Sequence, residues 1–147
     1  MRQPPRLFPA MRAHKGVWTG TYTHLDADGR EIDRHAARVV CEFPASGDPF
    51  YVQHITFTWP DGRVREDRFD GRVEGDRIVF DTPTFTGAAW ESGPHVLLHL
   101  DRKDEPGAHF VEIIVMAPDG RTRARTWHWF KDGVLVRRTL CDERRAG

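Results

Sequence analysis

Asp-Gly recurs along this chain as punctuation. Asp28-Gly29-Arg30, Asp61-Gly62-Arg63, Asp70-Gly71-Arg72 and Asp119-Gly120-Arg121 share one tripeptide, and Gly75-Asp76 and Asp132-Gly133 are close variants. Glycine supplies the positive φ that a tight hairpin requires, so each such pair between alternating segments predicts a turn between antiparallel strands. The intervening runs, rich in Val, Ile, Thr, Phe, Tyr and Trp, predict strands over 16–25, 31–43, 50–59, 63–72, 77–82, 85–91, 95–103, 109–117, 121–130 and 133–142. The turns recur but the strand residues do not, which marks successive hairpins rather than a repeat protein.

Short connections place each strand beside the next, as a meander. A single sheet of ten strands would leave two unpaired edges, and curling shut removes them. The expected fold class is therefore all-β, a closed antiparallel up-and-down barrel of about ten strands; a two-sheet sandwich is the alternative. Ahead of the first strand, Leu7, Phe8 and Met11 recur at helical spacing. Pro9 fits a first turn, so a short helix is expected within Arg6–Lys15. Residues 1–15 would then form an N-terminal helical plug or a tail. At 147 residues the chain makes one domain, spanning 1–147.

Lys and Arg together number 22 and so do Asp and Glu, and the charges are interleaved, which argues against a nucleic-acid partner. No apolar run has signal-peptide length or the roughly 20 residues of a membrane span, so no membrane insertion and a cytoplasmic address are expected. Cys41 and Cys141 suit that compartment as free thiols. In the meander both their strands flank the first one, roughly 9–10 Å apart, beyond disulfide reach.

Three-residue loops at Pro60-Asp61-Gly62, Pro118-Asp119-Gly120 and Lys131-Asp132-Gly133 would fix the register. Ile55 then faces Asp67, Phe57 faces Arg65, Ala117 faces Arg121, and Phe130 faces Val134. The face carrying Gln53, Ile55, Phe57 and Trp59 should point inward. For the late strands, one face carries Phe110, Glu112, Ile114, His128 and Phe130. The other carries Arg121, Arg123, Arg125, Trp127 and Trp129. Arginine is rarely buried unpaired, so the face with Glu112 and His128 is expected inside.

Those orientations nominate the site residues. Glu112 interrupts an apolar run and must be paired, protonated or wet. Lying diagonally from His128, it forms the candidate catalytic acid–base pair; the bland alternatives are an outward ion pair for Glu112 and a satisfied sheet histidine for His128. Tyr22, Gln53, Phe57, Trp59, Trp90, Ile114 and Phe130 are the candidate ligand-binding residues, aromatic walls with a few polar tips. His95 and His99 share a strand face but stand roughly 13 Å apart, too far to chelate. His24, His35, His54 and His109 are scattered, so no metal site is expected. Ser46 and Ser92 lack a nucleophile-elbow setting. Cys41 lies in an apolar strand that disfavours a thiolate.

Gly16-Val17-Trp18-Thr19-Gly20-Thr21-Tyr22 resembles the Gly-x-Trp opening of the calycin superfamily, which includes lipocalins and fatty-acid-binding proteins. The resemblance implies that Trp18 closes one barrel end under a late arginine, for which Arg137, Arg138 and Arg144 are available. Together with Tyr51-Val52-Gln53, Trp59-Pro60-Asp61-Gly62-Arg63 and the segment from Arg123 to Phe130, the chain resembles an uncharacterised bacterial calycin-like family. A haem-binding barrel related to nitrobindin also opens on Gly-x-Trp-x-Gly, and His128 would have to be its axial ligand.

The function expected is binding of a small, largely apolar molecule in the barrel interior, without a cofactor, by a monomer or homodimer. The alternatives are a cofactor-independent cyclase, isomerase or dehydratase of specialised metabolism using Glu112 and His128, and a haem-binding barrel.

Overall fold

A computed structural model describes residues 8–146. One helical turn, α1 (Pro9–Arg12), precedes ten strands. These are β1 (Gly16–Asp26), β2 (Glu31–Glu42), β3 (Tyr51–Thr58), β4 (Val64–Glu74) and β5 (Arg77–Asp81), then β6 (Phe85–Ser92), β7 (His95–Arg102), β8 (Ala108–Met116), β9 (Thr122–Lys131) and β10 (Val134–Arg145). Every strand is antiparallel to its sequence neighbours, and β10 returns to β1, so the sheet closes as a barrel with no free edge. The meander sorts the connections between two ends. The β1–β2, β3–β4, β5–β6, β7–β8 and β9–β10 turns lie at one end. The start of β1, the finish of β10 and the remaining loops lie at the other.

That second end is closed. Phe8 and Met11, from α1 and the residue before it, are buried, and Phe8 packs on Phe50 with ring centroids 5.4 Å apart. The helix is therefore shorter than the Arg6–Lys15 span expected, and residues 1–7 lie outside the described residues. Trp18 is fully buried and donates its indole N–H to the His14 carbonyl at 2.9 Å. Arg145, directly across from Trp18 in the β1–β10 ladder, packs its guanidinium 4.3 Å from the ring centroid. It also donates to the carbonyls of Gly120, Lys15 and Ala13, tying loop, helix and strand together. The closing arginine is thus Arg145, not Arg137, Arg138 or Arg144. Gly20 lets β1 and β10 approach, since a Cβ there would collide with the Asp142 carbonyl oxygen. Cys41 and Cys141 are free and buried on the two strands that flank β1.

The Asp-Gly pairs do not all make the same turn. Trp59 and Arg63 close a three-residue loop, giving Ile55 opposite Asp67 and Phe57 opposite Arg65 as expected. Asp70-Gly71-Arg72 is no turn at all, for β4 runs straight through it. Ala117 pairs with Thr122, making a four-residue loop of Pro118 to Arg121. Asp132 and Gly133, with φ of 49° and 79°, make a two-residue turn in which Val134 faces Lys131. Each of the last two shifts the expected register by one residue, and a shift of one turns every side chain of a strand to the other face.

On β8, Phe110, Glu112 and Ile114 point inward as expected, but on β9 the inward set is Arg123, Arg125, Trp127 and Trp129. His128 is exposed, and Phe130 lies on the outer wall between His109 and His128. Trp90 also faces outward, beneath the Arg77 guanidinium at 4.8 Å.

Candidate functional site

The barrel is hollow towards its first end. A cavity of about 480 Å³ runs from Met11 at the plug to Trp59, Arg65, Asp104 and Trp129 at the opposite mouth. Tyr22, Gln53, Phe57, Trp59, Ile114 and Glu112 line it; Trp90, His128 and Phe130 do not. The expected Glu112–His128 pair is therefore not assembled, nor can His128 ligate a haem held in the cavity. A shallower groove of about 760 Å³ on the outer wall, bordered by Thr21, Ala117 and Pro118, gathers no comparable set of side chains.

The cavity floor is ionic. Arg123 and Arg125 alternate onto the inner face of β9 between two strands that each contribute a carboxylate, Glu112 from β8 and Glu143 from β10. Arg123 donates to Glu143 at 2.7 Å, and Arg125 bridges Glu112 at 2.9 Å and Glu143 at 3.3 Å. All four side chains are nearly inaccessible. Such charges are tolerated inside a protein only as a mutually satisfied set. Burial opposes ionisation of Glu143, but Arg125 and Arg123 outweigh it and hold the carboxyl below its usual range. Glu112 has Arg125 as its main support, and burial pushes its pKa up in spite of that partner. Arg123 also packs 4.5 Å from the Trp18 ring centroid and donates to His14 Nδ1 at 3.1 Å, while burial and that guanidinium lower the His14 pKa to about 3.

Above the floor sits an aromatic belt. Tyr22 stacks on His35 at 5.0 Å, meets Phe57 edge-on at 5.4 Å and lies 5.3 Å from Trp127. Across the cavity, Phe110 lies 4.6 Å from Trp129 and 5.5 Å from Phe85. The Tyr22 hydroxyl is buried with no hydrogen-bond partner among the described residues. Burial raises its pKa well above the phenol range, so it stays a neutral O–H donor. An unpaired buried hydroxyl costs about 1–3 kcal/mol, which a polar atom in the cavity would recover.

At the mouth, the β1–β2 register shift between His24 and Leu25 sets His24 opposite Asp33. This brings His24 Nε2 to 3.0 Å from His35 Nε2. Trp129 N–H donates to Thr139 Oγ1 at 2.8 Å, which in turn contacts His24 Nδ1 at 2.8 Å. His35 Nδ1 donates to the Ala36 carbonyl at 3.4 Å. Because a carbonyl only accepts, His35 Nε2 is the acceptor and His24 Nε2 the donor between the rings. Burial, with His35 and Arg137 nearby, lowers the His24 pKa to about 4, and burial lowers that of His35 as well. Both rings are thus neutral near pH 7. Asp33 receives Trp59 N–H at 3.2 Å and the Arg34 backbone N–H at 2.9 Å. Histidines scattered in the sequence are therefore gathered here, and His99 and His109 also meet on the outer wall, stacked at 4.8 Å.

The sequence matches no family model and no curated protein. Solved structures, however, share its architecture. An S-type phycobiliprotein lyase from Guillardia theta superposes with a TM-score of 0.71 at 12% identity, over 93% of this chain and 90% of that one. Rv2717c from M. tuberculosis gives 0.66 at 15% identity, over 99% and 100%. A protein of unknown function of the DUF3598 family from Nostoc punctiforme gives 0.66 at 17% identity, over 92% of this chain; the present chain spans 49% of that protein. At these identities the likeness is one of fold, and the chain adopts a calycin-like, ten-stranded lipocalin-type barrel.

Proposed function

We propose that this protein binds a small, largely apolar molecule carrying one hydrogen-bonding group, inside the barrel. The observation that carries the reading is the unpartnered Tyr22 hydroxyl, buried in an aromatic belt that borders a 480 Å³ cavity. That volume falls within the range of about 300–1,000 Å³ typical of small-molecule sites. Trp127, Trp129, Phe57 and Phe110 supply flat apolar walls, and the Arg125–Glu112 pair at the floor supplies a second polar contact. The fold shared with a phycobiliprotein lyase is compatible with this reading; the side chains of this chain support it.

A matched pair of probes tests it. The full chain is titrated by calorimetry with 2-naphthol and with naphthalene, alone and as Tyr22→Phe. The expected result is saturable binding of both. The variant should lose about tenfold for 2-naphthol, about 1.4 kcal/mol, with naphthalene unchanged. Absence of saturable binding, or a variant that treats the two probes alike, contradicts the proposal.

A further inference from the structure

The geometry points to a divalent transition-metal site at the cavity mouth, made by His24 Nε2, His35 Nε2 and the Asp33 carboxylate, with its remaining coordination positions turned to the cavity. This inference does not depend on which guest, if any, fills the barrel.

The donor set is two imidazoles and one carboxylate, whose ligand atoms all lie within 4.8 Å of one another. Such a set suits zinc or ferrous iron and leaves positions for water or a ligand. With metal–nitrogen bonds of about 2.0–2.1 Å, two cis ligands stand about 2.9 Å apart on an octahedral ion and about 3.3 Å apart on a tetrahedral one. The 3.0 Å between the two Nε2 atoms already falls in that interval.

Each donor is also held from behind, as metal ligands are. Thr139 Oγ1 holds His24 Nδ1, the Ala36 carbonyl holds His35 Nδ1, and Trp59 N–H holds one carboxylate oxygen of Asp33. Tyr22 and Phe57 pack against the His35 ring, 5.0 Å away in each case, and fix its plane. Loading the site requires one rearrangement. The His24 proton leaves Nε2, freeing that lone pair for the metal, and a proton is taken up at Nδ1, where Thr139 Oγ1 accepts its hydrogen bond. The ring stays neutral and no net proton is released. The outer-wall group of His99, Asp101 and His109 has the same residue types but no such shell among the described residues. Its two imidazoles stack on each other, and His99 and Asp101 are exposed.

The test titrates the full chain with Zn²⁺ and Co²⁺, reading stoichiometry by calorimetry and geometry by the visible absorption of Co²⁺. One ion per chain is expected, with affinity reduced at least tenfold in His24→Ala and in His35→Ala and kept in His99→Ala/His109→Ala. In the wild type, which needs no variant to fold, Zn²⁺ should shift the imidazole ¹⁵N resonances of His24 and His35 at Nε2 and leave that of His54 in place. No binding by the wild type overturns the inference. So does binding that survives His35→Ala and vanishes with His99 and His109, or unmoved His24 and His35 resonances at saturating Zn²⁺.

Discussion

The two ends of this barrel are built from the same residue types, arginine, histidine, tryptophan and carboxylates, and do opposite things with them. At the closed end the side chains pack solid and most are tied to the protein, although His14 Nε2 and His95 Nδ1 are buried without a partner among the described residues. Trp18 N–H meets the His14 carbonyl, Arg145 meets three carbonyls, and Arg123 meets Glu143. At the open end the side chains satisfy one another only partly and border space. His24 holds His35 on the neighbouring strand at the mouth, and the Tyr22 hydroxyl has no partner among the described residues. A small barrel packs its interior solid when it has nothing to hold. The difference between the ends therefore separates what keeps the fold from what the fold is kept for.

Substitution should expose that division, most strongly at the floor. Arg125→Ala strands Glu112 inside the barrel and leaves Glu143 to Arg123 alone, and denaturant unfolding should show a loss of about 3–5 kcal/mol. The Arg65–Asp67 pair at the mouth, 3.2 Å apart but with Arg65 60% exposed, should lose under about 1 kcal/mol in Arg65→Ala. Equal losses at the two sites would dissolve the distinction. Trp18→Ala removes the ring between Arg123 and Arg145 and should cost about 3–5 kcal/mol by the same assay. Trp59→Ala at the rim should weaken probe binding more than it weakens the fold.

Acid should act on both ends. His14 and His24, with pKa values lowered to about 3 and about 4, and His35, also lowered, are neutral in the folded chain where the unfolded chain takes up protons. The unfolded state binds more protons below about pH 6.5, so the histidine contribution is absent well above that pH and stability falls as pH drops from 6.5 towards 4. Glu143, with its lowered pKa, adds to the loss below the ordinary carboxyl range, and Glu112, with its raised pKa, opposes it. Urea midpoints at pH 7 and pH 5 check this, and a higher midpoint at pH 5 would refute it. The smallest effect belongs to His128→Ala on the outer wall, expected within about 0.5 kcal/mol of wild type with unchanged probe binding.

The meander was legible because Asp-Gly pairs and β-rich runs set strand order without reference to packing, and the Pro60 hairpin gave its register as well. The facing of β9 was not, since loop length is decided by pairing on both sides. Asp119-Gly120 sits in a four-residue loop and Asp132-Gly133 in a two-residue turn. A signal was nonetheless present: Trp127 and Trp129 share the arginine face, and Glu112 and Glu143 lie on the two neighbouring strands to pair it. The rule against buried arginine holds for unpaired ones, and these are paired. The His24–His35 contact depends on an irregularity in β1–β2 pairing beside Leu25, which alternation alone does not reveal.

The central claim, that the hollow interior is the binding site, is tested most directly by filling it. Leu98 faces the cavity from β7, and Ile113 faces solvent from β8. Apolar-probe affinity, measured on Leu98→Trp and Ile113→Trp after each is shown to be folded, should fall at least tenfold in the first and stay at the wild-type value in the second. Unchanged affinity in Leu98→Trp would contradict the account.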